Sequence, residues 1–209
     1  YDEIYSEWST NEKVAMDAAI GAAYAGKRSM VAMKSVGMNV AADSFFYAVY
    51  TGVRAGLVIV VADDPGMFSS QNEQDNRQYA RFAKMPVLEP TDSQEAKDFI
   101  GAALDLSEEW DTPVMVRTVM RISHSASPVA LGERQANDAA ATPAFKRDPH
   151  RLVCTCVWAK HQHPVIEERL VRLSGFANTY SLNRLEWGDR KLGVVAGGGG
   201  VQLRARGLP

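Results

Sequence analysis

The sequence lacks the long apolar runs and the excess of one charge that mark several classes of protein. No stretch approaches the roughly 18 consecutive apolar residues needed to span a bilayer, and no secretory signal is visible. A formal net charge of −2 argues against a surface that binds nucleic acid or membrane through bulk charge. We therefore expect neither nucleic acid nor membrane among the partners.

Cysteine is also scarce, with only Cys154 and Cys156 in the chain. Residues two apart in a strand share a face, so the two thiols could in principle act together. Two thiolates are too few for a structural zinc or iron–sulfur site. The pair is typical of reduced thiols in a half-buried strand of a cytosolic protein. We expect a cytoplasmic protein with no metal site in this chain.

Apolar strand-like runs alternate with helical patterns over roughly the first 120 residues. The strongest run, "GLVIVVAD", is apolar almost without interruption, which is typical of a strand buried on both faces of a parallel sheet. Regular alternation of strand and helix predicts βαβ units. The expected fold is α/β, an open, mostly parallel sheet with helices on both faces. The predicted strands are 29–34, 56–63, 85–90 and 112–119, and the predicted helices are 11–26, 39–54, 74–84 and 93–109.

The composition and periodicity of the sequence change beyond about residue 123. Residues 123–149 are rich in Ser, Ala, Asp and Pro and have no period. A helical segment follows at 160–178, and "KLGVVAGGGG" begins a further predicted strand. We expect the chain to be a piece of a longer protein. Its predicted parts are a first domain at 1–122, a linker or crossover at 123–157, and the start of a second α/β domain at 158–209.

One acidic residue, Glu12, lies at the head of a predicted helix that is rich in Ala and Gly. Ser9 and Glu12 fit the S-x-x-E capping box, in which Ser9 caps the helix and Glu12 bonds back to its N–H. An Ala-rich helix buries little area per residue, so something must pack closely on it to compensate. On the residues alone, a cap and a ligand contact both remain open for Glu12.

Lys34, Ser35 and Gly37 lie between a predicted strand and the next predicted helix. Open α/β sheets bind ligands at this edge, and helix N-termini attract anions, although Gly37 could equally be a plain turn residue. The loop at 63–77 leaves the central strand at the same edge and is rich in amide side chains. Loops of this length are usually functional or disordered, and a solvated loop is the other interpretation here.

Two stretches resemble a known family, "EWSTNEKVAMDAAIGAAYAGKRSMVAMKSVGMNVAAD" and "GLVIVVADDPGMFSSQNEQDNRQYARFAKMPVLEP". They are similar to the pyrimidine-binding domain of the alpha (large) subunits of indolepyruvate:ferredoxin oxidoreductases. Those enzymes belong to the thiamine diphosphate-dependent 2-oxoacid:ferredoxin oxidoreductase superfamily. The resemblance covers about residues 5–120 and continues more loosely over 163–195.

The resemblance implies a cofactor role for Glu12. In this family the corresponding glutamate hydrogen-bonds N1′ of the aminopyrimidine and promotes the 4′-imino form, which takes the proton from thiazolium C2. In pyruvate-oxidising relatives a basic residue after the central strand holds the substrate carboxylate. Asp63 stands there in this sequence, which leaves Lys34 and Arg77 as substrate candidates. The expected thiamine diphosphate contacts, besides Glu12, are Lys34, Ser35 and Gly37.

The implied reaction is oxidative decarboxylation of arylpyruvates such as indolepyruvate. CO2 leaves, two electrons pass singly through iron–sulfur clusters to ferredoxin, and the acyl group goes to coenzyme A. The alternatives are the same chemistry on pyruvate or a branched-chain 2-oxoacid, and a non-catalytic α/β binding or scaffold module.

The sequence departs from the family in what it does not contain. It has no G-D-G…N motif for the Mg²⁺-diphosphate and no cysteine motif for a [4Fe-4S] cluster. We therefore expect Mg²⁺ and the clusters to be held elsewhere in a longer subunit. The resemblance also implies a second (beta) subunit in a hetero-oligomer, and we expect no turnover by this chain alone.

Overall fold

A computed structural model describes residues 4–133 and 145–201. Residues 1–3 of the predicted first domain, 134–144 of the predicted linker and 202–209 of the predicted second domain lie outside the described residues. No helix in the described ranges is long and apolar enough to cross a membrane. The elements in chain order are α1 (Glu12–Tyr24), β1 (Ser29–Lys34), α2 (Gly37–Thr51), β2 (Leu57–Asp63), α3 (Arg77–Ala83), β3 (Val87–Leu88), α4 (Ser93–Trp110), β4 (Val114–Val119), α5 (Met120–Ser123), α6 (Pro149–Leu152) and α7 (Cys156–Ala177).

The four strands form one parallel sheet in the order β1-β2-β4-β3. In the pairings of β2 with its two neighbours, Val31 of β1 lies opposite Ile59, and Ile59 lies opposite Met115 of β4. Each connection between successive strands contains a helix, as parallel neighbours require. This confirms the predicted α/β fold.

Both faces of the sheet are covered, which explains the apolar run of β2. Leu57, Ile59 and Val61 belong to a core with buried residues of α1 and α2. Val58, one residue out of phase, packs with buried residues of α4 such as Ala103. Because successive side chains of a strand point to opposite faces, a strand between two helical layers needs apolar residues at nearly every position.

Several boundaries differ from the predicted ones for local reasons. The strand predicted at 85–90 shortens to Val87–Leu88, because Pro86 and Pro90 flank it and proline has no N–H for a sheet. The helix predicted at 39–54 begins at Gly37 and ends at Thr51, where Gly52 has a positive φ of 71°. That conformation suits glycine at a helix end.

Two strands predicted in the C-terminal third are not formed. Cys156 begins α7 after Thr155 in an extended conformation, so the predicted half-buried strand around Cys154 and Cys156 is wrong. In the stretch 191–200 there is no strand; a short helical turn begins at residue 199. The helix predicted at 160–178 is present as part of α7. The division of the chain at residue 158 stays a prediction.

A cluster of arginines attaches α6 and α7 to the first part of the chain. The buried Arg169 of α7 donates to the carbonyls of Asp111 at 2.8 Å and Val49 at 3.1 Å, and burial lowers the pKa of this guanidinium. Arg151 donates to the carbonyl of Thr51 at 2.8 Å and forms an ion pair with Asp111. These bonds satisfy carbonyls at the C-terminal ends of α2 and α4, which have no partners within a helix.

Candidate functional site

The start of α1 is capped by Asn11, so the predicted capping box is wrong. Asn11 is extended (φ −160°, ψ 173°), and its Oδ1 accepts a hydrogen bond from the Val14 N–H at 3.0 Å. Its carbonyl accepts the first intrahelical bond from the Ala15 N–H at 3.1 Å. Ser9, the predicted cap, lies two residues too early. Glu12 is the first helical residue, and its side chain takes no part in the cap.

The Glu12 side chain lies against Gly37, the first residue of α2. A Cβ atom at Gly37 would be 2.7 Å from Glu12 Cγ and 2.9 Å from Glu12 Oε1, so glycine leaves the room that the carboxylate occupies. Glu12 is half-buried. Within residues 4–133 and 145–201, its carboxylate accepts no hydrogen bond and forms no ion pair. A half-buried carboxylate in this state is available to a ligand that carries a hydrogen-bond donor.

The turn between β1 and α2 carries two further predicted site residues, of which Gly37 contacts this carboxylate. Ser35 is only 1% exposed, and its Oγ has no hydrogen-bond partner in the described part of the chain. Helix α2 has no side-chain cap, since its N-cap residue is Val36. Gly37, in contact with Glu12, and Ser35, two residues earlier in the chain, lie at the positive end of a 15-residue helix dipole.

Lys34 is directed to a different neighbour. Its Nζ donates to the carbonyl of Ser69 at 2.7 Å, so its ammonium holds the loop that follows β2. The base of this loop is also fixed by Asp64, which accepts from the Ser69 N–H at 2.8 Å and the Ser70 hydroxyl at 2.9 Å. The Ser69 N–H bond and the Ser70 hydroxyl hold the pKa of Asp64 below its ordinary value. The loop is thus anchored at its base by specific bonds, with an exposed tip.

A buried polar network that the sequence did not reveal supports the turn. Asp63, at the end of β2, accepts from Arg117 Nε at 2.6 Å and from the Asn76 N–H at 2.9 Å. Asn76 is fully buried, and its Nδ2 donates to Asp63 and, at 3.3 Å, to the Ser35 carbonyl. Arg117 also pairs with Glu89. One signal was available in the sequence: a charged residue in the otherwise apolar strand "TPVMVRTV" needs a buried partner.

Arg77, the remaining predicted substrate residue, lies on the other side of this network. Its guanidinium pairs with Asp75 at 2.7 Å and lies 3.9 Å from Glu89. It lines a cavity of about 410 Å³, within the usual size range of small-molecule sites. The cavity lies near the carboxyl ends of β3 and β4, and its lining includes Phe68, Pro90, Arg117, Val119 and Arg121.

The residues around Glu12 fit the aminopyrimidine end of the expected cofactor. The fit rests on the half-buried Glu12 carboxylate, which has no partner in the described residues and is held against Gly37. A flat ring with donor and acceptor nitrogens offers the hydrogen bond that this carboxylate lacks. No group of three or more His, Cys, Asp or Glu side chains that could hold a metal occurs in residues 4–133 and 145–201.

Comparison with known proteins identifies a matching family. Residues 6–170 match the family described as "Pyruvate flavodoxin/ferredoxin oxidoreductase, thiamine diP-bdg". The chain is 48% identical over 198 residues to the indolepyruvate oxidoreductase subunit IorA of Methanothermobacter thermautotrophicus, covering 94% of this chain and 32% of that protein. It is 46% identical over 199 residues to the subunit of the same name from Thermococcus kodakarensis, covering 93% and 31%. The chain therefore spans about a third of the length of these relatives.

A solved structure supports the same fold. The 2-oxoglutarate:ferredoxin oxidoreductase of Magnetococcus marinus, determined with 2-oxoglutarate, coenzyme A and succinyl-CoA bound, superposes with a TM-score of 0.57. The match covers 80% of this chain and 36% of that one. At 16% sequence identity, the likeness establishes the shared fold alone.

Proposed function

The chain belongs to the pyruvate flavodoxin/ferredoxin oxidoreductase family of thiamine diphosphate-binding domains, and we propose that it forms the pyrimidine-binding part of an indolepyruvate:ferredoxin oxidoreductase. The observation that carries this proposal is the half-buried Glu12 carboxylate, which has no partner in the described residues and lies beside Gly37. The identities of 48% and 46% to indolepyruvate oxidoreductase subunits support the arylpyruvate branch of the family.

In the proposed reaction, this chain holds and moves a proton. When bound, thiamine diphosphate supplies the electron sink that lets a 2-oxoacid lose CO2. The Glu12 carboxylate binds the ring nitrogen N1′ of the aminopyrimidine and exchanges a proton with it, which is general acid–base work. Gly37 contacts the Glu12 side chain, and Ser35, two residues earlier, has a buried hydroxyl without a partner in the described residues.

The other components of the proposed reaction lie outside this stretch. Mg²⁺, the [4Fe-4S] clusters, the coenzyme A site and the beta subunit belong to the remainder of a hetero-oligomer that passes electrons to ferredoxin. We place the enzyme in the cytoplasm, as its composition predicts. These assignments rest on the family and on relatives about three times the length of this chain.

A panel of 2-oxoacids tests the proposed function on the complete subunit with its partner. We expect indolepyruvate to reduce a viologen dye in the presence of coenzyme A with a higher kcat/KM than pyruvate or a branched-chain 2-oxoacid. A higher kcat/KM for pyruvate would favour the alternative substrate class. No oxoacid-dependent reduction, in an enzyme that has its clusters and bound cofactor, would favour a non-catalytic module.

Of the two candidates for the substrate carboxylate, the cavity favours Arg77 over Lys34. We expect Arg77→Gln to raise KM for every oxoacid about tenfold with little change in kcat, because one charge-assisted hydrogen bond is lost from ground and transition states alike. Lys34→Gln is the matched comparison, since Lys34 is not among the residues that line the cavity. Steady-state kinetics measure both, and an unchanged KM in Arg77→Gln would exclude this role.

A further inference from the structure

Gly37 occupies a position where the backbone itself does not require glycine. It is not among the glycines with positive φ, and it begins a regular helix of 15 residues. Alanine is favoured over glycine in a helix by propensity, so the reason for glycine lies in its surroundings. The three atoms nearest to a Cβ there all belong to Glu12: Cγ at 2.7 Å, Oε1 at 2.9 Å and Cδ at 3.1 Å.

We propose that Gly37 is a positioning residue whose missing side chain sets the place of the Glu12 carboxylate. The inference rests on the proposed function and gives Gly37 a different role from the cofactor contact expected from the sequence. The Glu12 side chain, which we propose binds the cofactor, fills the space that a Cβ atom of residue 37 would occupy. A methyl group there would meet the movable part of the Glu12 side chain, so the carboxylate would swing away while the fold survives.

The two helices cannot simply separate to make room for a methyl group. Near the N-terminal end of α1, Lys13 Nζ donates to Asp43 and Ser44 of α2, each at 3.0 Å. At the opposite end of α1, Tyr24 shares a hydrogen bond with Thr51. Between these ties the helices pack through buried residues such as Met16 and Phe45. The displacement therefore falls on the Glu12 side chain.

The turn that carries Gly37 is itself fixed. The buried Asn76 donates to the Ser35 carbonyl at 3.3 Å, and the Ser35 N–H donates to the Ala62 carbonyl at 2.9 Å. The turn just before α2 is thus held to the central strand and, through Asn76, to Asp63. The space beside Gly37 is a fixed feature of the sheet edge.

The test is Gly37→Ala in the complete, assembled enzyme, with Gly101→Ala as the matched control. A Cβ at Gly101, in the middle of α4, meets no heavy atom within 4 Å in the described structure. With saturating cofactor, we expect Gly37→Ala to lower kcat about 100-fold, the usual cost of misplacing a reacting group by about 1 Å, with an unchanged KM for the oxoacid. Gly101→Ala should leave both constants within about twofold, since it touches nothing in the site.

A second readout does not depend on turnover. The melting temperature of the cofactor-free enzyme is compared for Gly37→Ala, Glu12→Ala and the double variant. If the methyl group displaces Glu12, Gly37→Ala raises the melting temperature in the Glu12→Ala background and lowers it, or raises it less, in the wild-type background. Equal shifts in the two backgrounds would overturn the inference, and so would a kcat for Gly37→Ala close to wild type. Full turnover in Glu12→Gln would instead refute the proposed function, whatever the melting temperatures show.

Discussion

Glu12→Gln is expected to lower kcat of the complete, assembled enzyme by about 10³-fold and to leave its stability nearly unchanged. The amide has the size of the carboxylate but cannot exchange a proton with a ring nitrogen, and positioned acid–base groups contribute about 10² to 10⁴ in rate. Stability should hold because the Glu12 carboxylate makes no hydrogen bond or ion pair within the described residues. Steady-state kinetics with saturating thiamine diphosphate, together with urea unfolding, measure both quantities.

The choice of glutamine separates the two roles that the sequence left open for this residue. A capping box accepts Glu or Gln at its third helical position, so a purely structural Glu12 would tolerate this change. The matched control is Asn11→Ala, which removes the cap that the structure shows on the Val14 N–H. It should cost about 1 kcal/mol of unfolding free energy. A wild-type kcat in Glu12→Gln would remove the cofactor role, and with it the basis of the proposed function.

The sheet was predictable because its signals are local. The apolar run of Leu57–Asp63 and the alternation of strands with helices need no knowledge of distant contacts. The sequence-based predictions failed where contacts between neighbouring residues determine the local structure. Asn11 and Ser9 are both good caps, and only the backbone conformation of Asn11 determines which one is used.

The site was predictable only in part, for the same reason. Resemblance selected Glu12, and position at the sheet edge selected Lys34, Ser35 and Gly37, of which the structure brings Gly37 into contact with Glu12. The contact of Glu12 with Gly37 joins residues 25 positions apart, and no spacing rule predicts it. Asn76 was indistinguishable from its polar neighbours in a loop, although it is the fully buried one that links Asp63 to the Ser35 carbonyl.

The largest expected effect on stability comes from Arg117, whose side chain is only 7% exposed. We expect Arg117→Met to lower the free energy of unfolding of the subunit by about 3–5 kcal/mol, because it removes the ion-pair partner of the fully buried Asp63 carboxylate. Among the described residues, Asn76 would remain as the hydrogen-bond donor to that carboxylate. Urea unfolding of the wild type and the variant measures the difference.

Arg28→Met is the matched control, because Arg28 also forms well-made ion pairs. It lies 2.7 Å from Asp105 and 2.7 Å from Glu108, but its side chain is 38% exposed. Exposed pairs contribute at most about 1 kcal/mol, since water solvates the separated charges almost as well. Equal losses of unfolding free energy in the two variants would show that burial does not determine the contribution of the Arg117 ion pair.

The double variant Arg117→Met with Asp63→Leu shows where the cost of the single variant comes from. Replacing both members of a buried pair with apolar groups is often close to neutral, whereas removing one is not. We therefore expect the double variant to recover much of the lost stability. The recovery should be incomplete, because Asn76 then loses the acceptor for its N–H and for its Nδ2.

An Asn76 released in this way no longer holds the Ser35 carbonyl, so kcat should fall in the double variant even where stability returns. A double variant with restored stability and wild-type kcat would show that the network beneath the site supports the fold alone.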